Sequence, residues 1–174
     1  ALTEVPAGDV LVHAGDVTRH GSLDDVGAFD AWLGTLPHPH KIVIAGNHDF
    51  CFQERPAEAR ARLTNATYLE DSGCEAAGLT FYGSPWTPWF YDWAFMPPQG
   101  ERLTGVWAKV PNRVDVLVTH GPPHGILDWT NRGEHAGSLS LLHRVHEVKP
   151  RIHVFGHIHE AAGRLDTADT MFVN

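Results

Sequence analysis

Four apolar runs in this chain each end on a residue that binds cations or moves protons. Val10-Leu11-Val12-His13 leads into Ala14-Gly15-Asp16. Lys41-Ile42-Val43-Ile44-Ala45 leads into Gly46-Asn47-His48-Asp49. Val114-Asp115-Val116-Leu117-Val118 leads into Thr119-His120-Gly121, and Ile152-His153-Val154-Phe155 into Gly156-His157-Ile158-His159. A short apolar run stopped by glycine reads as a buried strand delivering its last residues to a loop. Ligands in open α/β sheets gather beyond the carboxyl ends of strands, so the four loops can meet at one place.

The donors suit a hydrolytic metal centre. Asp16 is the carboxylate among them, and its two oxygens can bridge two cations. Asn47 offers a neutral carbonyl oxygen, and His120 and His157 offer ring nitrogens to the same cation. His159, one residue beyond Ile158, can turn its ring to the other cation. Mixed nitrogen and oxygen donors suit manganese, iron, zinc, cobalt or nickel better than calcium or magnesium. Two such ions roughly 3.5–4 Å apart clamp a phosphoryl group and generate a hydroxide near neutral pH. His48 then sits at the rim as proton donor to the leaving oxygen, and Asp49 is expected to hold its tautomer.

The intervening elements must position these loops. Ser22 with Asp25 starts a helix, and Val26, Phe29, Leu33 and Leu36 recur at helical spacing, which predicts a helix over 23–34 ended by Pro37 and Pro39. The strand over 41–45 follows at a βαβ distance and is expected to run parallel to the first. Residues 57–63 read as helical. Residues 68–82 read as short antiparallel strands broken at Ser72-Gly73 and Gly78. An aromatic loop over 83–93 follows, then a helix over 102–109. Leu139, Leu142, Val145 and Val148 mark a helix over 139–148, and Met171-Phe172-Val173 a last strand. No repeat, linker or low-complexity tract appears, so residues 1–174 are expected to form one domain.

Composition narrows the partners. The 174 residues carry a net charge of -8, with 43% hydrophobic and 20% charged residues, as in a globular protein. The acidic balance and the lack of a Lys/Arg cluster argue against long nucleic acid as a partner. No apolar run approaches the roughly 20 residues that span a bilayer. Two cysteines without metal-type spacing are expected to be reduced thiols, which points to a cytoplasmic setting.

Gly15-Asp16, Gly46-Asn47-His48-Asp49, Thr119-His120-Gly121 and Gly156-His157-Ile158-His159, in this order, resemble the calcineurin-like metallophosphoesterases. His13-Ala14-Gly15-Asp16, Tyr82-Gly83-Ser84-Pro85-Trp86, Thr119-His120-Gly121-Pro122-Pro123 and the run from His153 to Glu160 resemble the metallophosphoesterase-domain-containing branch of that superfamily. The resemblance covers nearly the whole chain. It implies an α/β fold, a four-layer αββα sandwich of two mixed β-sheets flanked by helices. It implies that Asp16 bridges two metals, that Asn47, His120 and His157 complete the second, that His159 serves the first, and that His48 is catalytic. The branch is similar to phosphodiesterases of cyclic nucleotides and aryl phosphodiesters. The family also opens with Asp-x-His on its first strand. No Asp-x-His precedes Asp16, and the chain reads as lacking that strand and as trimmed at its far end. The first metal then keeps only Asp16 and His159, so the expectation is one cation held tightly and the other weakly or not at all.

The reading is a metal-dependent phosphodiesterase, using a metal-activated hydroxide on a small phosphodiester such as a cyclic nucleotide. Its rivals are a phosphomonoesterase or protein phosphatase of the same superfamily, and a catalytically impaired nucleotide-binding protein. The other histidines carry less. His153 is expected to be structural. His38, His40, His135, His143 and His146 are expected to face solvent. His13 and His20 are weak candidates for a substitute ligand. His124 reads either as a pocket wall or as a plain loop residue. Trp86, Trp89, Phe90, Tyr91 and Trp93 read either as packing or as a platform for a nucleobase. Nothing in the sequence singles out Asp128 or Glu160.

Overall fold

Strand β1 (Val10–His13) and strand β2 (His40–Val43) lie side by side and parallel, with Val10 opposite His40 and His13 opposite Val43, in the computed structural model of this chain. The structure describes residues 5–174. The chain start at Ala1, on which the expectation of an absent opening strand turns, lies outside them. Helix α1 (Leu23–Thr35) makes the crossover between the two strands. Ser22 caps it by accepting from the Asp24 and Asp25 amides, at 3.2 and 3.4 Å.

The β2 run explains the layering. Ile42 and Ile44 belong to one buried cluster with Leu69, Phe81, Val116 and Val118. Val43 and Ala45 belong to another with Val26, Leu33, Phe52 and Ala59. Side chains alternate faces along a strand, so a run that is apolar at every position must be covered on both sides. The first cluster fills the space between two sheets. The second lies under α1, α2 (Phe50–Glu54) and α3 (Pro56–Arg62).

The second sheet repeats the logic. Its six strands run in the order β4 (Ser72–Ala76), β5 (Leu79–Ser84), β6 (Val116–Thr119), β7 (Ile152–Val154), β9 (Met171–Val173) and β8 (Arg164–Asp166). Val116 and Val118 face the other sheet, while Leu117, Phe155 and Phe172 face outward. Against that outer face lie α4 (Glu101–Trp107) and α5 (Leu139–Val148), through Leu103, Trp107, Leu141 and Val145. The layers are therefore helices, sheet, sheet, helices. The six-stranded sheet is mixed, and the described strands of the three-stranded one are all parallel.

The segment over 68–82 departs from the expected antiparallel unit. Only β4 and β5 pair that way. β3 (Thr67–Tyr68) instead joins β2 in the smaller sheet, in parallel. The chain changes sheets at Asp71, which takes a positive φ of 46°. Its carboxylate is held by Ser84 Oγ, Trp86 Nε1 and Lys109 Nζ. The short helix α2 was not expected either, since its five residues are too few to show a helical period.

Two histidines test the burial expectations. His38 is buried, not solvent-facing, with Nε2 against the Pro6 carbonyl at 2.9 Å. His153 is fully buried between strands, as expected of a structural residue. Thr119 Oγ1 donates to the Gly121 carbonyl and so must accept from His153 Nε2, at 2.8 Å. Burial pushes His153 down to about 3. Its folded value lies below the unfolded one, so the unfolded chain binds the extra proton between pH 6.5 and about 3. Stability should be present above that window and fall as pH drops through it, by about 1.4 kcal/mol per pH unit for one fully coupled proton. In a chain of this size that is roughly 3–5 °C of melting temperature per unit. Melting curves of the parent and of His153→Leu from pH 7 to pH 4 check this. The variant should show the shallower loss.

Candidate metal centre

The carboxyl ends of β1, β2, β6 and β7 converge at the edge where the two sheets meet. Gly15 turns the chain out of β1 with φ +99°, and Asp16 follows at φ 59°. His157, after β7, also takes a left-handed backbone, φ 71°. Such conformations cost energy in non-glycine residues and persist where the surroundings impose them, commonly at functional sites. Gly46 makes room for the convergence. A Cβ there would lie 2.3 Å from Asp16 Oδ1 and 2.6 Å from His120 Cε1.

His120 is the centre of the arrangement and is fully buried. Its Nδ1 faces the Ala14 carbonyl at 2.9 Å, and a carbonyl only accepts, so the ring proton sits on Nδ1. Nε2 therefore carries a lone pair. It faces Asn47 Oδ1 at 2.7 Å and Asp16 Oδ2 at 3.5 Å. In the neutral ring three acceptors meet, and a cation, a second ring proton or a reversed amide relieves the contact. The Asp16 carboxylate favours a positive charge at that point. His157 stands beside them, its ring centre 5.0 Å from that of His120. Burial, with the neighbouring His120 in the same direction, pushes His157 down to about 3 and keeps it a neutral nitrogen donor at pH 7. The residues thus fit a divalent cation by their chemistry: one carboxylate, one amide oxygen and two neutral imidazoles. Among the described residues, no three His, Cys, Asp or Glu side chains are drawn tightly around one point, and the convergence at His120 includes an amide.

His48 lines the same cleft, a space of about 270 Å³ walled also by Asp16, Asn47, Tyr91, Trp93 and His159. Its backbone N–H donates to Asp16 Oδ1 at 3.0 Å. Its Nδ1 donates to the Arg19 carbonyl at 2.8 Å, which leaves Nε2 free. Trp93 meets the ring edge-on, 4.5 Å between centres. His159 is exposed at the start of a 3₁₀ turn on the rim.

Asp49 corrects the sequence reading. It was expected to orient His48, and it does not touch that ring. Fully buried, its carboxylate accepts from the Gly46 and Thr18 amides at 2.8 Å, from Thr18 Oγ1 at 2.9 Å and from the Val17 amide at 3.1 Å. It ties the loop after β1 to the loop after β2, and the tautomer of His48 is fixed by Arg19 instead. Burial raises the Asp49 carboxyl above its usual range against these bonds. A backbone carbonyl leaves no trace in residue type, so no sequence signal pointed to Arg19. His13 packs edge-on against Phe29, 4.8 Å between centres.

The close approach at Gly46 predicts that Gly46→Ala forces the Asp16 carboxylate aside. The expected result is a loss of about 1–3 kcal/mol of stability from overpacking, and Mn²⁺ affinity lower by roughly 10–100-fold, as when a ligand loses its orientation. Thermal melts and a Mn²⁺ titration of the same variant check both.

Comparison with known proteins gives a consistent picture. The family model described as calcineurin-like phosphoesterase matches residues 2–161. Metallophosphoesterase domain-containing protein 1 of Homo sapiens is 42% identical over 196 residues, covering 98% of this chain and 60% of that protein. The Mus musculus protein of the same name matches equally. A UPF0046 protein of Caenorhabditis elegans is 39% identical, covering 99% of this chain and 68% of its own length. The chain thus spans about 60% of the length of the two mammalian relatives. A crystal structure 18% identical superposes with a TM-score of 0.71 over 95% of this chain and 79% of that one, a likeness of fold.

Proposed function

Since this chain belongs to the calcineurin-like phosphoesterase family, we propose that it is a divalent-metal-dependent phosphodiesterase acting on small phosphodiesters, cyclic nucleotides among them. The family uses divalent metals. The observation that carries the reading is the meeting of His120 Nε2, Asn47 Oδ1 and Asp16 Oδ2 with the His120 proton committed elsewhere. Asp16, Asn47, His120 and His157 would hold one cation, and Asp16 with His159 a second. Manganese is the first candidate cation, with iron, zinc, cobalt and nickel as alternatives that the same mixed donors suit. When bound, the cations neutralise phosphoryl charge and acidify water.

The chain's own residues do the rest. The Arg19 carbonyl and the Trp93 ring fix His48 at the cleft wall. A proton on His48 Nε2 can then pass to the leaving oxygen, while the Nδ1–H bond to Arg19 supports the charged ring. Asp49 keeps the loops of Asp16 and His48 in register. The net charge of -8 fits a small substrate better than a long nucleic acid. Cys51 and Cys74 are both free, in keeping with a cytoplasmic setting. Among the described residues, no helix is long and apolar enough to cross a membrane.

Turnover of bis(p-nitrophenyl) phosphate against p-nitrophenyl phosphate, both with Mn²⁺, tests the substrate class. Faster diester cleavage is expected, and a strong preference for the monoester would favour the phosphatase rival. A second reading is nucleotide binding without turnover; His159, assigned with Asp16 to the first cation, is exposed on the rim and so would hold that cation less firmly. Binding of a nucleotide with no hydrolysis in saturating Mn²⁺ would support it.

A further inference from the structure

A second cavity, about 420 Å³, opens beside the cleft and shares two of its walls, Phe90 and His157. Small-molecule sites fall in this size range. Trp89 and Phe90 line it with largely exposed rings, 56% and 43% accessible, and the Arg132 guanidinium lies 5.2 Å from the Phe90 ring centre. Flat aromatic faces beside a cation favour a planar, polar ligand over a purely aliphatic one.

One wall is built around a buried carboxylate. Asp128 is 1% exposed. Its Oδ2 accepts from the Gly125 and Gly137 amides at 2.9 and 3.0 Å, which closes the base of a small hairpin. The hairpin is completed by Thr130 N–H to the Glu134 carbonyl and Ala136 N–H to the Asp128 carbonyl. Asp128 Oδ1 lies 2.6 Å from His135 Nδ1. The carboxylate accepts, so Nδ1 carries the proton. Trp129 holds the same ring edge-on, 4.7 Å between centres, and His124 lies 5.1 Å away. His135 lines the cavity, and its Nε2 makes no hydrogen bond to another described residue. In the neutral ring that nitrogen is an acceptor. It calls for an N–H or O–H on the ligand.

We propose that this cavity seats the nucleoside arm of the substrate, and that His135, held by Asp128, is a specificity-determining residue that accepts a hydrogen bond from a ribose hydroxyl or a base N–H. The proposal rests on the phosphodiesterase reading, because the shared Phe90 and His157 walls put the arm next to a phosphorus bound in the cleft. His135 is exposed, as expected, and the proposal adds a role for it at the cavity wall. It also uses the aromatic loop in part: Trp89 and Phe90 flank the arm, while Trp86 packs against Phe95, 5.3 Å between centres.

The test compares two chromogenic diesters, the p-nitrophenyl ester of thymidine 5′-phosphate and bis(p-nitrophenyl) phosphate. The second has no hydrogen-bond donor to offer. His135→Phe keeps a ring against Trp129 and removes the acceptor. KM for the thymidine ester should rise about tenfold with kcat unchanged, as expected for one lost hydrogen bond. Both constants for the aryl ester should stay within about twofold. His135→Gln, whose amide oxygen accepts, should recover part of the loss. Equal losses on both esters would mean a structural role, and unchanged KM on both would mean that the arm lies elsewhere; either overturns the proposal. If the parent protein cleaves neither ester, the phosphodiesterase reading fails on its own. Binding of thymidine 5′-monophosphate then decides: about tenfold weaker binding to His135→Phe sustains the subsite, and equal binding sinks it.

Discussion

Asp16→Ala should abolish retention of bound cation and with it all metal-dependent hydrolysis. Asp16 is the one side chain assigned to both positions, and its Oδ2 faces the His120 nitrogen at 3.5 Å. Without it, His120 Nε2 and Asn47 Oδ1 remain as neutral donors with no charge to offset that of a divalent ion. The loss in affinity should exceed the roughly 10–100-fold that follows from losing a partner one bond removed from the metal. Asp16 also accepts the His48 backbone N–H at 3.0 Å, so the alanine variant loosens that loop as well. Asp16→Asn separates the two effects. It keeps an oxygen for the His48 amide but not the charge, so it should melt near the parent temperature while still failing to retain Mn²⁺. Retention of Mn²⁺ by Asp16→Asn at parental affinity would remove Asp16 from the centre of the account.

His48→Ala should act on turnover and leave the metals alone. His48 bonds Asp16 through its backbone N–H, which alanine keeps, so metal content should match the parent. Loss of a general acid costs about 10²–10⁴-fold in rate. The size of the loss should depend on the leaving group. A nucleoside alkoxide needs the proton in order to depart, so a cyclic nucleotide or dinucleotide should show the full effect. p-Nitrophenoxide leaves readily without one, so bis(p-nitrophenyl) phosphate should lose much less. Equal losses on both would assign His48 to binding rather than to proton transfer. Trp93→Ala should reproduce a fraction of the same pattern, because Trp93 restrains the ring from 4.5 Å.

Much of the fold was legible because its signals are local. The Ser22 cap and the spacing of Val26, Leu33 and Leu36 mark α1 to within a residue. The uninterrupted apolar run Ile42-Val43-Ile44-Ala45 could only be a strand covered on both faces. Where the reading failed, a long-range event decided. β3 and β4 lie four residues apart in the chain, Tyr68 to Ser72, yet in different sheets, and the change rests on the left-handed turn at Asp71. His38 looked exposed because the Pro-rich loop around it carries no period, and only its contact with Pro6 shows the burial.

The same division holds at the site. Asp16, Asn47, His48, His120, His157 and His159 stand out in the sequence because each lies beside a glycine at the end of an apolar run or within three residues of one, and the structure gathers them at one edge. The partners that orient them did not stand out. Arg19 acts through its carbonyl, and Asp49 through three backbone and hydroxyl donors from the opposite loop and one amide of its own loop. His135 and Asp128 are seven residues apart, and only the hairpin register brings them to 2.6 Å.

The most direct measurement is metal content per chain after Mn²⁺ loading and desalting, with bis(p-nitrophenyl) phosphate hydrolysis assayed on the same sample. The loaded chain should retain Mn²⁺ through desalting, and its turnover should rise when Mn²⁺ is present in the assay and fall with chelator. Abolition of the retained ion in Asp16→Asn would complete the result. A chain that retains no metal, and whose hydrolysis is indifferent to added Mn²⁺ and to chelator, would contradict it.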